Sequence, residues 1–204
     1  LFPYTTLFRS SPTSVAYSGS AAASSNQIIM QGTYASAPIT VRFNFTGSAA
    51  GVQQVSQQLN TVSFYKATTT TNGVLTFASP NIETSAPEIG YSDVFQSTTA
   101  YTVPALNTEV GVAIIPFKFF KNKGASASFT NITSQQAREL YGVTGDAPLS
   151  LFTGNLADTT TVYATGRDAA SGTRITTFAE TATSQTAVSQ YQPVVASGAV
   201  SGLG

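Results

Sequence analysis

Twice along this chain a run with β-branched residues ends in a small, hydroxyl-bearing turn and passes at once into a segment of helical period. No other feature of the sequence constrains the fold as much. The first instance runs from Ile39–Phe45 through Thr46-Gly47-Ser48 into Ala49–Leu59, where Val52, Val55 and Leu59 recur at helical spacing. The second runs from Thr160–Thr165 through Gly166-Arg167-Asp168-Ala169-Ala170-Ser171-Gly172-Thr173 into a helix marked by Ile175, Phe178, Ala179 and Ala182. Strand and helix in alternation predict an α/β architecture with a largely parallel sheet. A Ser/Thr-rich β-sandwich is the rival class.

The remaining elements are shorter. Gln27–Met30 reads as a strand, and Pro38 sits where the next one starts. Ser63–Pro87, Thr-rich and carrying Asn72-Gly73, reads as an irregular or hairpin insertion. Glu88–Asp93 predicts a short strand and Gly111–Phe117 a buried one, with Pro104–Glu109 as a domain linker between them. Thr133-Ser134-Gln135-Gln136 matches a capping box, and Gly142 is placed to stop the helix it opens. The tail from Val194 to Gly204 predicts neither helix nor strand. Leu1–Ser10 resembles the in-frame translation of a sequencing adapter and is set aside, leaving two candidate domains, residues 11–106 and 107–204.

Composition removes whole classes of chemistry. The 204 residues include no Cys and no His, which excludes a Ser-His-Asp triad, a Cys nucleophile, a Cys/His zinc site and a thiol–disulfide centre. Nine basic residues balance nine acidic ones, so no broad field draws nucleic acid or an anionic membrane. Any anion must therefore be held by local geometry. The longest apolar run, Val110–Phe120, is interrupted by Pro116 and Lys118 and falls short of the roughly 20 residues of a membrane-spanning helix. A chain rich in Ser, Thr, Gln and Asn and poor in Lys and Glu suits an exported bacterial protein, although no signal peptide or initiating Met is present.

In the second turn, free N–H groups at a helix start would point at one spot beside the Ser171 and Thr173 hydroxyls. Gly172 allows close backbone approach, and Arg167 can return across the turn with a bidentate fork. Such a spot suits an oxyanion. The alternative is ordinary capping by Ser171 beside a surface arginine. The Ser48 turn has the same form, with Ser48 either an anion donor or a helix cap. Asp93 would repel a fully ionised oxyanion but accept a hydrogen bond from one that keeps a proton; alternatively, Ser92-Asp93 caps the next segment. Asp168 reads as a local partner of Arg167, and Lys118, Lys121 and Lys123 as a solvated loop.

In this order, these residues resemble the phosphate-binding proteins of bacterial ABC transporters, within the type 2 periplasmic-binding-protein fold. The similarity covers roughly Ile39–Pro193. Its most specific element is Arg167–Arg174, which looks like the family's Arg-x-x-x-Ser-Gly-Thr phosphate loop. Thr46–Val52 resembles the Gly-Ser-rich turn, Ile89–Asp93 the Ser-Asp strand end, and Asn131–Gly142 the helix before the loop. The resemblance reads residues 11–106 as a partial first lobe and 107–204 as a partial second. It implies that Arg167, Ser171, Gly172 and Thr173 bind phosphate from the second lobe, and Ser48 and Asp93 from the first. It also implies a non-enzymatic, cofactor-free, periplasmic or secreted monomer that closes two lobes on its ligand and delivers it to a membrane permease. The family's opening ligand turn and its last strands would lie outside this chain, which implies weak or absent affinity for this stretch alone.

Overall fold

A computed structural model of the chain describes residues 12–184, 190–197 and 199–203, the last group by its backbone only. The adapter-like residues 1–10 therefore lie outside the described residues. The chain divides into two compact units, Leu1–Tyr91 and Ser92–Gly204. Helices and strands are mixed in both.

In the first unit, β1 (Ser14–Tyr17), β2 (Gln27–Tyr34), β3 (Ala37–Asn44) and β5 (Gly73–Val74) form one sheet in the order β3-β2-β1-β5. The β2–β3 hairpin keeps register from Tyr34 opposite Ala37 to Gln27 opposite Asn44. Its two-residue turn places Ala35 and Ser36 at φ 48° and 66°, the left-handed backbone that a tight hairpin demands. β2 is apolar on both faces. Ile28 and Met30 pack with Val15, Val41 and Phe43 on one side, while Ile29 packs with Ala16 and Tyr65 on the other, the period-2 alternation of a pleated strand. β4 (Val62–Tyr65) and β6 (Ile82–Ser85) pair antiparallel across a connection that contains β5, so Asn72-Gly73 does not turn a hairpin: Gly73 opens β5, which pairs parallel with β1.

The expected largely parallel sheet is replaced by antiparallel ladders. Only β1 with β5 runs parallel among the named strands, with one further parallel bridge between Thr165 and Tyr191. Connection length accounts for the β2–β3 hairpin, since a two-residue turn can only reverse a strand; the longer connections of β4–β6 and β7–β8 also return antiparallel.

Helix α1 (Ser48–Ser56) follows β3 as the spacing predicts, and it buries Ala49, Val52 and Ser56 on one face. Glu88–Asp93 forms no strand. Its Gly90 passes so close to α1 that a Cβ there would lie 3.0 Å from Val55 and 3.2 Å from the Gly51 carbonyl oxygen. The segment packs on the helix and joins no ladder.

In the second unit, Thr133 caps α2 (Ser134–Glu139): its hydroxyl accepts from Gln136 N while the Gln136 side chain accepts from Thr133 N. The helix does not stop at Gly142 but widens into a π turn over Leu140–Thr144, which buries Leu140 and Tyr141 before Gly145 ends it at φ 81°. β7 (Asp146–Pro148) pairs antiparallel with β8 (Thr161–Tyr163), and α3 (Ser150–Thr153) lies between them in sequence. Helix α4 (Gly172–Thr181) buries Ile175 and Phe178, and Ala182 closes it in the left-handed region. Leu140, Tyr141, Ala147, Ala164 and Phe178 form the core, with the Tyr141 and Phe178 rings edge to face at 5.6 Å.

Two further expectations are corrected. Gly111–Phe117 forms no strand, and Ile114 and Phe120 are 97% and 91% exposed. High β propensity creates no strand where no neighbour completes the ladder. The tail does contain strands: β9 (Pro193–Ala196) and β10 (Ala199–Leu203) pair antiparallel, with Ser197 in the left-handed conformation beside their connection. Among the described residues, no helix is long and apolar enough to cross a membrane.

Candidate functional site

The loop from Gly166 to Ser171 connects the end of β8 to α4. Asp168 organises it locally: its carboxylate accepts from Ala170 N at 3.0 Å, and its carbonyl accepts from Ser171 N at 3.1 Å. Ser171 then caps the helix, its hydroxyl accepting from Arg174 N at 3.5 Å. That side chain is 4% exposed, and Gly172 is buried with it. Thr173 is exposed.

A second segment holds the loop from outside. Tyr191 N donates to Ala164 O at 2.7 Å, and the flanking glutamines reach the loop carbonyls, Gln190 Nε2 to Arg167 O at 3.2 Å and Gln192 Nε2 to Gly166 O at 2.8 Å. A Cβ on Gly166 would overlap the end of the Gln190 side chain, which would have to give up its present position over the loop. Tyr191 is itself anchored: its hydroxyl donates to Asp146 at 3.0 Å and its ring meets Tyr163 edge-on at 4.9 Å. The hydrogen bond to Asp146 holds the Tyr191 phenol above its ordinary pKa.

Between these segments lies a cleft of 520 Å³ lined by Arg167, Asp168, Arg174, Gln190 and Gln192. Arg167 Nε lies 3.9 Å from Asp168 Oδ2, with both side chains largely exposed. Two guanidinium groups face one carboxylate, an arrangement suited to a multivalent oxygen anion.

Of the six residues expected to bind, Arg167 alone lines this cleft. Ser171, Gly172 and Thr173 belong to the adjoining helix start. Asp93 falls in the second unit, partly buried, with one carboxylate oxygen shielded from solvent. Its neighbour Ser92 closes a local turn on Val94. Ser48 belongs to the first unit as the opening residue of α1, whose cap is Gly47. Arg174, Gln190 and Gln192 were not among the expected binders. Arg174 stands four residues before Phe178, a spacing that places both on one helix face; the glutamines carry no local signal, since their positions come from the bridge between Tyr191 and Thr165.

Compared with known proteins, the chain matches no family model, no curated protein and no solved structure.

Proposed function

We propose that this chain is part of an exported, non-catalytic solute-binding protein of the two-lobe type 2 periplasmic-binding-protein fold, which captures phosphate or a similar tetrahedral oxyanion for an ABC-transporter permease. The observation that carries the reading is the pair of guanidinium groups, Arg167 and Arg174, lining one cleft beside the start of α4. It is supported by the loop's similarity to the family's phosphate loop and by the lack of His and Cys for catalysis of the excluded kinds. Asp93 does not line this cleft; its role in favouring an oxyanion that retains a proton rests on the resemblance.

Calorimetry with phosphate and with sulfate, each at two pH values spanning the second ionisation of phosphate, tests this. Phosphate is expected to bind more tightly than sulfate, with the larger advantage at the lower pH. Equal binding of the two anions would contradict the Asp93 role, and no binding of either by the chain restored at both ends would contradict the function.

A further inference from the structure

A guanidinium that loses part of its hydration needs acceptors for its N–H groups or a compensating negative charge. Arg174 is half-buried on the first turn of α4, its Cζ 5.2 Å from the centroid of the Phe178 ring. That ring is 1% exposed and pinned edge to face by Tyr141, so the surface under the cation is fixed. A ring contact attracts the charge without supplying the oxygen acceptors its N–H donors require. Among the described residues, the Arg174 guanidinium has neither a hydrogen-bond acceptor nor a carboxylate at ion-pair distance. What it faces is the cleft, where the lone carboxylate, Asp168, already receives Ala170 N and neighbours Arg167. Two positive groups against one negative leave the cleft with one net positive charge.

We infer that Arg174 is a second anion-contacting residue, donating to the same tetrahedral oxyanion as Arg167. This rests on the phosphate reading above and refines it. The Ser171 hydroxyl takes Arg174 N, and Ser171 and Gly172 are buried, so the contact inferred here is made by side chains. Two guanidinium forks favour a ligand with several oxygen acceptors, such as inorganic phosphate or a phosphate monoester, over a planar monocarboxylate, which offers only two oxygens.

In ¹⁵N-labelled protein, the arginine Nε–Hε signals, assigned with Arg167→Lys and Arg174→Lys, would be followed as inorganic phosphate replaces chloride at constant ionic strength. The Arg167 and Arg174 signals are expected to move together on one saturating curve, acetate leaving both in place. Arg174→Gln is expected to weaken phosphate binding about tenfold to a hundredfold, with Arg174→Lys between it and the unsubstituted protein. A stationary Arg174 signal while Arg167 responds would overturn the inference and leave the phosphate reading intact. If neither signal moves, both fail, and this comparison is made on the unsubstituted protein.

Discussion

Among the described residues, each unit rests one arginine over a buried phenyl ring, and the two arginines meet different fates. In the first unit, Arg42 lies 5.3 Å from the Phe64 ring centroid and spends its donors at once: an ion pair with Glu83, a bond to Ser85 Oγ at 3.3 Å and another to Tyr65 O at 3.4 Å. In the second, Arg174 stands at almost the same distance from Phe178, yet no protein acceptor among the described residues takes its N–H groups. The cation with protein acceptors joins β3, β4 and β6, and its work is structural. The one without them lines a cleft. A ring beneath an arginine therefore says little about function; the acceptors around its edge decide.

The largest effect that could break this comparison lies beneath Arg174. Phe178→Ala removes the most buried ring of the second unit's core and is expected to cost about 3–5 kcal/mol in denaturant unfolding. A loss under ~1 kcal/mol would mean that the ring is not fixed in the core beneath Arg174. Next, Arg42→Ala should destabilise by about 1–3 kcal/mol, since it strips partners from Glu83 and Ser85 in a partly exposed setting. Arg174→Ala should cost no more than about 1 kcal/mol, the worth of an exposed to half-buried ring contact. Equal losses at Arg42 and Arg174, read as denaturant midpoints, would erase the distinction between them.

A smaller effect of about 1 kcal/mol is expected for Thr133→Ala, which opens the capping box of α2, again read by denaturant. The smallest concerns pH. Burial raises the Tyr65 and Tyr141 phenols above their ordinary 10.0, and the Asp146 hydrogen bond raises Tyr191. A raised folded-state value favours the neutral phenol, so this stability is complete below pH 10 and is lost as pH climbs through the folded values. Thermal midpoints should fall above about pH 10, less steeply in Tyr141→Phe. A midpoint indifferent to alkaline pH would remove these phenols from the account.

Where the information was local, the sequence was readable. The helices after Ser48 and Ser171 followed from apolar spacing, and the α2 cap from four consecutive residues, Thr133–Gln136. Pairing was not local. The apolar runs identified β2 and β3 as strands, but the left-handed Ala35–Ser36 turn that makes them a hairpin carries neither Gly nor Asn to announce it. Gly111–Phe117 has the composition of a strand and lacks the neighbour that would make it one. At the candidate site, Arg167 was legible from the loop motif. Gln190 and Gln192 were not, because their contacts span 23 and 26 residues of chain. Arg174 was half-legible: its distance from Phe178 could be counted, but whether a carboxylate stood nearby could not.

The central claim is that the Arg167–Arg174 loop holds the anion. It is tested most directly by phosphate calorimetry on the unsubstituted chain, on Arg167→Ala, and on Arg138→Ala, which removes an exposed charge from the same unit outside the cleft. Arg167→Ala should weaken phosphate binding at least about tenfold while Arg138→Ala leaves it unchanged. Unchanged binding in Arg167→Ala, or an equal loss in both variants, would contradict the account.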